Sequence, residues 1–264
     1  MSIKQTINPK FKDNSTIQSF IELLPSKFES EGTTLYAERN IIKSFTLDAT
    51  DKILNNVIVK RYKQPSLIQR IIYSYFRKSK AERAFHNATK LRAKNIGTPL
   101  EIAYLEQWSN GLLQYGYYVS GCDDAPPIRE RLIEPEDFDQ TMARDFAAFV
   151  ADLHEKGILH HDLNSTNVLY HEDYNMHYTF SVIDINRMDF FSNGEIIPRK
   201  TCFDNLTRFT GRMDLFEYVI RYYAETRNWD IESSVMEAVS IKNHHDEQWR
   251  KRKAFFNRFK AKKK

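Results

Sequence analysis

Cysteine is scarce: Cys122 and Cys202 are the only two in 264 residues, far apart and without metal-type spacing. That argues against a disulfide framework or a zinc site and fits a reducing compartment. No apolar run approaches the roughly 20 residues needed to span a bilayer. The opening MSIKQTINPKFKDN is too polar for a secretory signal. Glycine is also sparse, and Gly32 is the only one ahead of Lys60, which excludes a GxGxxG phosphate loop there. There is no internal repeat and no low-complexity linker. What remains, at 41% hydrophobic content, is enough to build one large core or two lobes.

The charge is uneven. Residues 250–264, RKRKAFFNRFKAKKK, hold nine Lys/Arg and no acid, and the rest of the chain carries 30 bases against 35 acids. Trp249, Phe256 and Phe259 fall on one helical face beside Phe255. A basic, aromatic segment at 249–264 suits an anionic membrane surface better than nucleic acid; the plainer alternative is a closing helix with a solvated end.

Periodicity divides the chain into a strand-rich half and a helical half. Ile17, Phe20, Ile21 and Leu24 predict a helix over 15–24 that Pro25 stops. From Leu35 to Tyr62 the pattern is β-like, with a turn around DATDK. Ser79 is the expected N-cap of a helix over 80–94, ended by NIGTP, and Asn110-Gly111 marks a type I′ hairpin. After the polar crossing GCDDAPP, residues 138–156 read as a helix with Gly157 as its stop. The expected organisation is an N-terminal helical extension (1–30), a β-rich lobe (31–122) and a mainly helical lobe with a basic tail (123–264).

Chemistry concentrates just after that helix. Two short apolar runs, Ile158-Leu159 and Val168-Leu169-Tyr170, enclose HHDLNSTN, and VIDIN follows a hairpin around EDYNM. Asp162 and Asn167 are five apart in the pattern HxDxxxxN, and Asp184 ends the next strand. This is the order of parts in phosphoryl-transfer enzymes: a carboxylate to orient the acceptor hydroxyl and take its proton, then a carboxamide and a carboxylate to hold divalent metal. Hard oxygen donors suit magnesium. Each residue alone could be a turn former; three in register argue for a site. Lys60, at the end of NVIVKRY, is the candidate cation for nucleotide phosphates. Glu82 is its candidate partner, although SKAE also fits a capping box, Ser79 with Glu82 at N3. His160 is expected to pack beneath the loop and hydrogen-bond its backbone.

With VIVKRY, RKSKAERAF, NIGTPLEIAYLE, HHDLNSTNVL and VIDINRM, the stretch from about 35 to 190 resembles the protein-kinase-like superfamily, and within it the bacterial lipopolysaccharide-core (Kdo/heptose) kinase family. DNLTRF matches more loosely. The resemblance implies an α+β, two-lobed protein-kinase-like fold, with ATP and Mg²⁺ as cofactors and a sugar hydroxyl of the lipopolysaccharide core, a lipid-linked acceptor, as substrate. It would place the chain in the cytoplasm at the inner face of the bacterial inner membrane. In these terms Asp162 is catalytic, Lys60 and Glu82 serve the nucleotide, and Asn167 and Asp184 hold metal. Arg187, Arg199 and Lys200 lie where an anionic acceptor would bind.

Departures from the protein-kinase pattern are specific. Asn164 replaces the lysine two residues after the catalytic aspartate, Asn186 stands at the glycine of D-F-G, and there is no A-P-E. These losses argue against a regulated protein kinase. They leave two alternatives: a phosphotransferase for a soluble small molecule, and a pseudokinase that only binds.

Overall fold

The computed structural model describes residues 2–47, 52–173, 177–192 and 194–261, with backbone only for 52–53 and 256–261. The expected DATDK turn, the tip of the EDYNM hairpin and the side chains of Phe256 and Phe259 therefore lie outside the described residues. The chain divides into two compact units: residues 1–124 with 182–187, and residues 125–181 with 188–264.

The first unit contains β1 (Ser2–Ile7), α1 (Ser15–Ser30), β2 (Thr33–Ala37), β3 (Ile41–Thr46), a single turn α2 (Lys52–Asn55), β4 (Asn56–Arg61), α3 (Leu67–Tyr75), α4 (Lys80–Ala93), β5 (Glu101–Ser109) and β6 (Leu112–Gly121). Its strands form a six-stranded antiparallel sheet in the order β1-β5-β6-β4-β3-β2. The hairpin between β5 and β6 has Asn110 at φ 51° and Gly111 at φ 72°, the left-handed pair a type I′ turn requires. α1 buries Ile17, Phe20, Ile21, Leu24 and Phe28 in one core with Phe45, Val57, Val59, Leu105, Tyr117 and Val119 of the sheet.

Two expectations are corrected here. The opening 30 residues are not an extension, because β1 pairs with β5 in the register Ser2↔Trp108 to Ile7↔Ala103 and α1 supplies part of the core. β1 is almost wholly exposed, so it carries no alternating apolar signal. Nor does Pro25 stop α1; it lies inside the helix. Proline removes one backbone donor, and burial of Leu24 and Phe28 on either side carries the helix through.

The second unit contains α5 (Arg129–Leu132), α6 (Gln140–Glu155), β7 (Ile158–His160), β8 (Val168–Glu172), β9 (Tyr178–Val182), β10 (Met188–Phe190), α7 (Arg199–Leu206), α8 (Met213–Thr226) and α9 (Ile231–Ala261), with Val182 assigned to the first unit. α6 starts at the N-cap Asp139, whose carboxylate accepts from Met142 N–H, and stops at Gly157, φ 71°. It buries Met142, Phe146, Val150 and Leu153, while the neighbouring α8 buries Leu215, Phe216, Val219 and Ile220. β7 pairs with β10, and β8 with β9. The polar loop 161–167 is thus anchored between two small ribbons.

Candidate active site

β4 decides which of its cations can serve the site. Successive side chains of a strand point to opposite faces. Val57 and Val59 face the α1 core, and on that side Arg61 pairs with Glu29 and lies over the Phe28 ring. Lys60 is on the other face, where its Nζ lies 2.7 Å from Asp184 Oδ1. A one-residue change of register would exchange the two roles.

Asp184 is held by a set of tertiary hydrogen bonds. Val182 N–H donates to Gly97 O (2.9 Å) and Thr98 Oγ1 donates to Val182 O (2.8 Å), so the NIGTP segment clamps the strand just ahead of it. Buried Asn87 of α4 donates to Ile185 O at 2.7 Å. Asn186 Nδ2 donates to Asp184 Oδ1 at 2.6 Å. Asp184 has φ 55°, a left-handed conformation that aspartate tolerates better than most side chains.

The first unit also gathers cations that, Arg187 apart, the sequence did not single out. Burial lowers the Lys80 pKa, and Arg39, Arg187 and Arg83 lower it further, while Asp184 opposes them. Arg83 is lowered by burial, then by Arg77, with Arg187 also contributing. Lys60 and Lys80 share the ring of Tyr62, their Nζ atoms 5.5 and 6.0 Å from its centre. Burial, and next the Asp184 charge, push the Tyr62 hydroxyl pKa well above its ordinary value. Like charges held this close favour a bound anion. Arg187, expected on the acceptor side, belongs electrostatically to this group.

Glu82 lies elsewhere. Its backbone N–H donates to Ser79 Oγ at 3.1 Å, and its carboxylate is 3.3 Å from Lys78 and 3.7 Å from His86. The ion pair made by Lys60 is with Asp184.

In the second unit the loop around Asp162 is internally braced. Asp162 N–H donates to His160 Nδ1 (3.1 Å), and His160 is 1% exposed. Asn167 Nδ2 donates to Asp162 O (2.9 Å), which leaves the Asn167 amide oxygen as a possible metal donor. Asn164 Nδ2 is 3.4 Å from Asp162 Oδ1, and its own Oδ1 accepts from Thr166 Oγ1. His161 pairs with Asp189 at 2.6 Å. Beneath the loop, Asn205 Nδ2 donates to His160 O (3.0 Å) while its Oδ1 meets His154 Nε2 (3.0 Å); His154 Nδ1 meets the Tyr223 hydroxyl (2.8 Å). An amide oxygen only accepts, so His154 carries its proton on Nε2 and Nδ1 accepts from Tyr223. Burial lowers the His154 pKa to about 4.

Asp162 also lines an open cavity of about 1380 Å³, with the bases Lys200, Arg208, Lys242, Arg250 and Arg252 and the acids Asp204 and Asp246. The bases come from α7, the segment after it, and α9. Arg208 also donates to His161 O. Arg199 does not join them: it bonds Ser233 and Ser234, pairs with Glu237, and lies over the rings of Phe203 and Trp229. It ties α7 to α9.

Among the described residues no cluster of three or more His, Cys, Asp or Glu could hold a metal alone. Asp184 of the first unit offers a carboxylate and Asn167 of the second a carboxamide oxygen, each a hard donor of the kind Mg²⁺ takes.

A sequence profile of the lipopolysaccharide kinase (Kdo/WaaP) family matches residues 55–213, from the start of β4 to the start of α8. The chain belongs to this family. Its members are kinases, and kinase activity implies use of ATP. A search of curated protein sequences found no match. Among solved structures, "WaaP in complex with acyl carrier protein" matches with a TM-score of 0.59 at 13% identity, covering 95% of this chain and 99% of that one. That likeness establishes the kinase-like fold. No described helix is long and apolar enough to cross a membrane.

Proposed function

We propose that this lipopolysaccharide kinase transfers the γ-phosphoryl group of ATP, with Mg²⁺, to a hydroxyl of a Kdo or heptose residue in the lipopolysaccharide core, working at the cytoplasmic face of the inner membrane. The observation that carries the acceptor side is Asp162 on the wall of an open cavity whose five bases outnumber its three acids. A sugar bearing phosphate or carboxylate groups is the ligand such a wall suits.

In this reading Asp162 orients the acceptor hydroxyl and receives its proton. The oxygen forms a bond to the γ-phosphorus, the bond from that phosphorus to the bridging oxygen breaks, and ADP leaves. Lys60 holds the α- and β-phosphates. Lys80, Arg83 and Arg187 offset phosphate charge from the side chains, where many kinases use the backbone of a glycine-rich loop. Asn167 and Asp184 would hold Mg²⁺, which neutralises charge on the phosphates. Glu82 is left with a structural place at the start of α4.

The test is transfer of radiolabelled phosphate from ATP to purified core, deacylated and intact, with Asp162→Ala as control. Label that appears in the core and vanishes in the control supports the reading. Measurable Mg²⁺-dependent ATP binding without label would direct the search to another acceptor, such as a soluble small molecule.

A further inference from the structure

α3 carries its apolar side outward. Leu67, Ile68, Ile71, Ile72 and Tyr75 recur at i, i+1, i+4, i+5 and i+8, a single helical face. A helix of this pattern normally buries that stripe. Here the opposite, polar face meets the sheet: Arg70 Nε donates to Leu113 O (3.0 Å), and Leu113 N–H donates to Ser74 Oγ (3.1 Å). No residue of α3 is buried. Ile68 is 73% exposed, Tyr75 68%, and Phe76 just beyond the helix 82%.

The charge around this face is mainly positive, with Glu82 beside Lys78 (3.3 Å) the nearby exception. Between Lys63 and Lys78 there are four bases, Lys63, Arg70, Arg77 and Lys78, and no acid. A second copy of the chain would bring like charges together, which disfavours self-association through this face. Exposed aliphatic and aromatic side chains flanked by cations match a surface with apolar depth below an anionic layer. That is a bilayer containing acidic lipid.

We infer that α3 is an interfacial helix that seats the protein on an anionic membrane, with Ile68, Ile72, Tyr75 and Phe76 among the acyl chains and Arg77 and Lys78 at the headgroups. The inference rests on the proposed function only in that a lipid-linked acceptor requires a surface-bound enzyme. It assigns the contact to a segment separate from the basic end of α9.

The test is flotation of the full chain with vesicles of phosphatidylcholine alone or with phosphatidylglycerol, containing no acceptor. Wild-type protein should float with the anionic vesicles. Ile68→Glu combined with Ile72→Glu should lower that partitioning at least ten-fold while leaving phosphorylation of deacylated core unchanged. Arg77→Glu with Lys78→Glu, which leaves the apolar face intact, should make residual binding insensitive to phosphatidylglycerol. Unaltered flotation of the isoleucine variant overturns the inference, as does loss of binding on Lys251→Glu with Lys253→Glu alone. So does a wild-type dimer that the isoleucine variant dissociates without changing flotation. Because the vesicles hold no acceptor, failure to phosphorylate core would count against the proposed function and leave the flotation result to stand separately.

Discussion

Lys60 Nζ and Asp184 Oδ1 lie 2.7 Å apart although 124 residues separate them in the chain. The lysine is the buried partner, with 14% of its side chain exposed against 29% for the aspartate. Phosphate oxygens and a divalent ion drawn to this pair would each find an opposite charge waiting. Lys60→Ala should therefore raise the KM for ATP about ten-fold or more with a smaller loss in kcat. Asp184→Ala should remove the Mg²⁺ dependence of nucleotide binding, read from calorimetric titrations with and without the ion. Unchanged Mg²⁺ dependence would take the metal role from Asp184.

Asp162→Asn keeps the size of the side chain and its hydrogen-bonding reach but removes the base. Turnover should fall about 10²–10⁴-fold, with ATP affinity within about two-fold of wild type. Near-normal turnover would mean that Asp162 is only a loop former.

The cation group around Asp184 predicts a salt-sensitive nucleotide site. Lys80→Ala and Arg83→Ala should each weaken ATP binding several-fold at low ionic strength, and the difference from wild type should shrink as salt is raised. ATP dissociation constants at several salt concentrations decide this, and equal constants in variant and wild type would exclude phosphate contact.

On the acceptor side, Lys200→Ala should raise the KM for core several-fold while leaving the KM for ATP unchanged. Lys200 makes a cleaner probe than Arg208, which also holds the backbone of His161. Steady-state kinetics with each substrate varied in turn would show a shift in the wrong KM if the cavity serves another purpose.

His154 links protonation to stability. It is buried and neutral, with a pKa lowered from 6.5 to about 4 by burial, whereas the unfolded chain takes up the proton near 6.5. Below that pH the unfolded state binds more protons, so stability is full above 6.5 and declines toward pH 4 by about 3 kcal/mol from this group alone. The protonated ring also loses the acceptor that Tyr223 needs, which loosens the Asn205 contact to His160 O. Denaturant midpoints measured across this window should fall less steeply for His154→Gln than for wild type. Parallel curves would show that His154 titrates normally.

The parts of the site that could be read from sequence are those carried by local spacing. HxDxxxxN sets Asp162 and Asn167 on one braced loop, and Lys60 follows directly on an apolar run, although its separation from Arg61 shows only in the folded strand. Caps and turns were equally readable: Ser79, Asn110-Gly111 and Gly157 act through their own backbone neighbourhoods. The missing parts depend on distant partners. β1 has no apolar alternation, and its place is set by β5 about a hundred residues later. Lys80, Arg83 and Arg39 look like scattered surface charge until folding collects them, and Arg187, read from sequence as an acceptor-side cation, joins them. Arg199 looked like a substrate ligand and proved to be a strut between helices. α3 has a plain helical pattern, yet the direction of its apolar face follows from Arg70 and Ser74 gripping Leu113.

Residues 182–187 belong to the first unit although the chain has by then built α5, α6 and most of β7 to β9. Emerging from the ribosome, the first 124 residues therefore hold Lys60 with its natural counter-ion still some sixty residues from synthesis. Asn87 and Thr98 likewise wait for their partners, Ile185 and Val182. No single cut can part the two units cleanly: a fragment ending at Asp124 would lack the anion that sits against Lys60. The Lys60–Asp184 pair is completed late in translation, by a short returning segment.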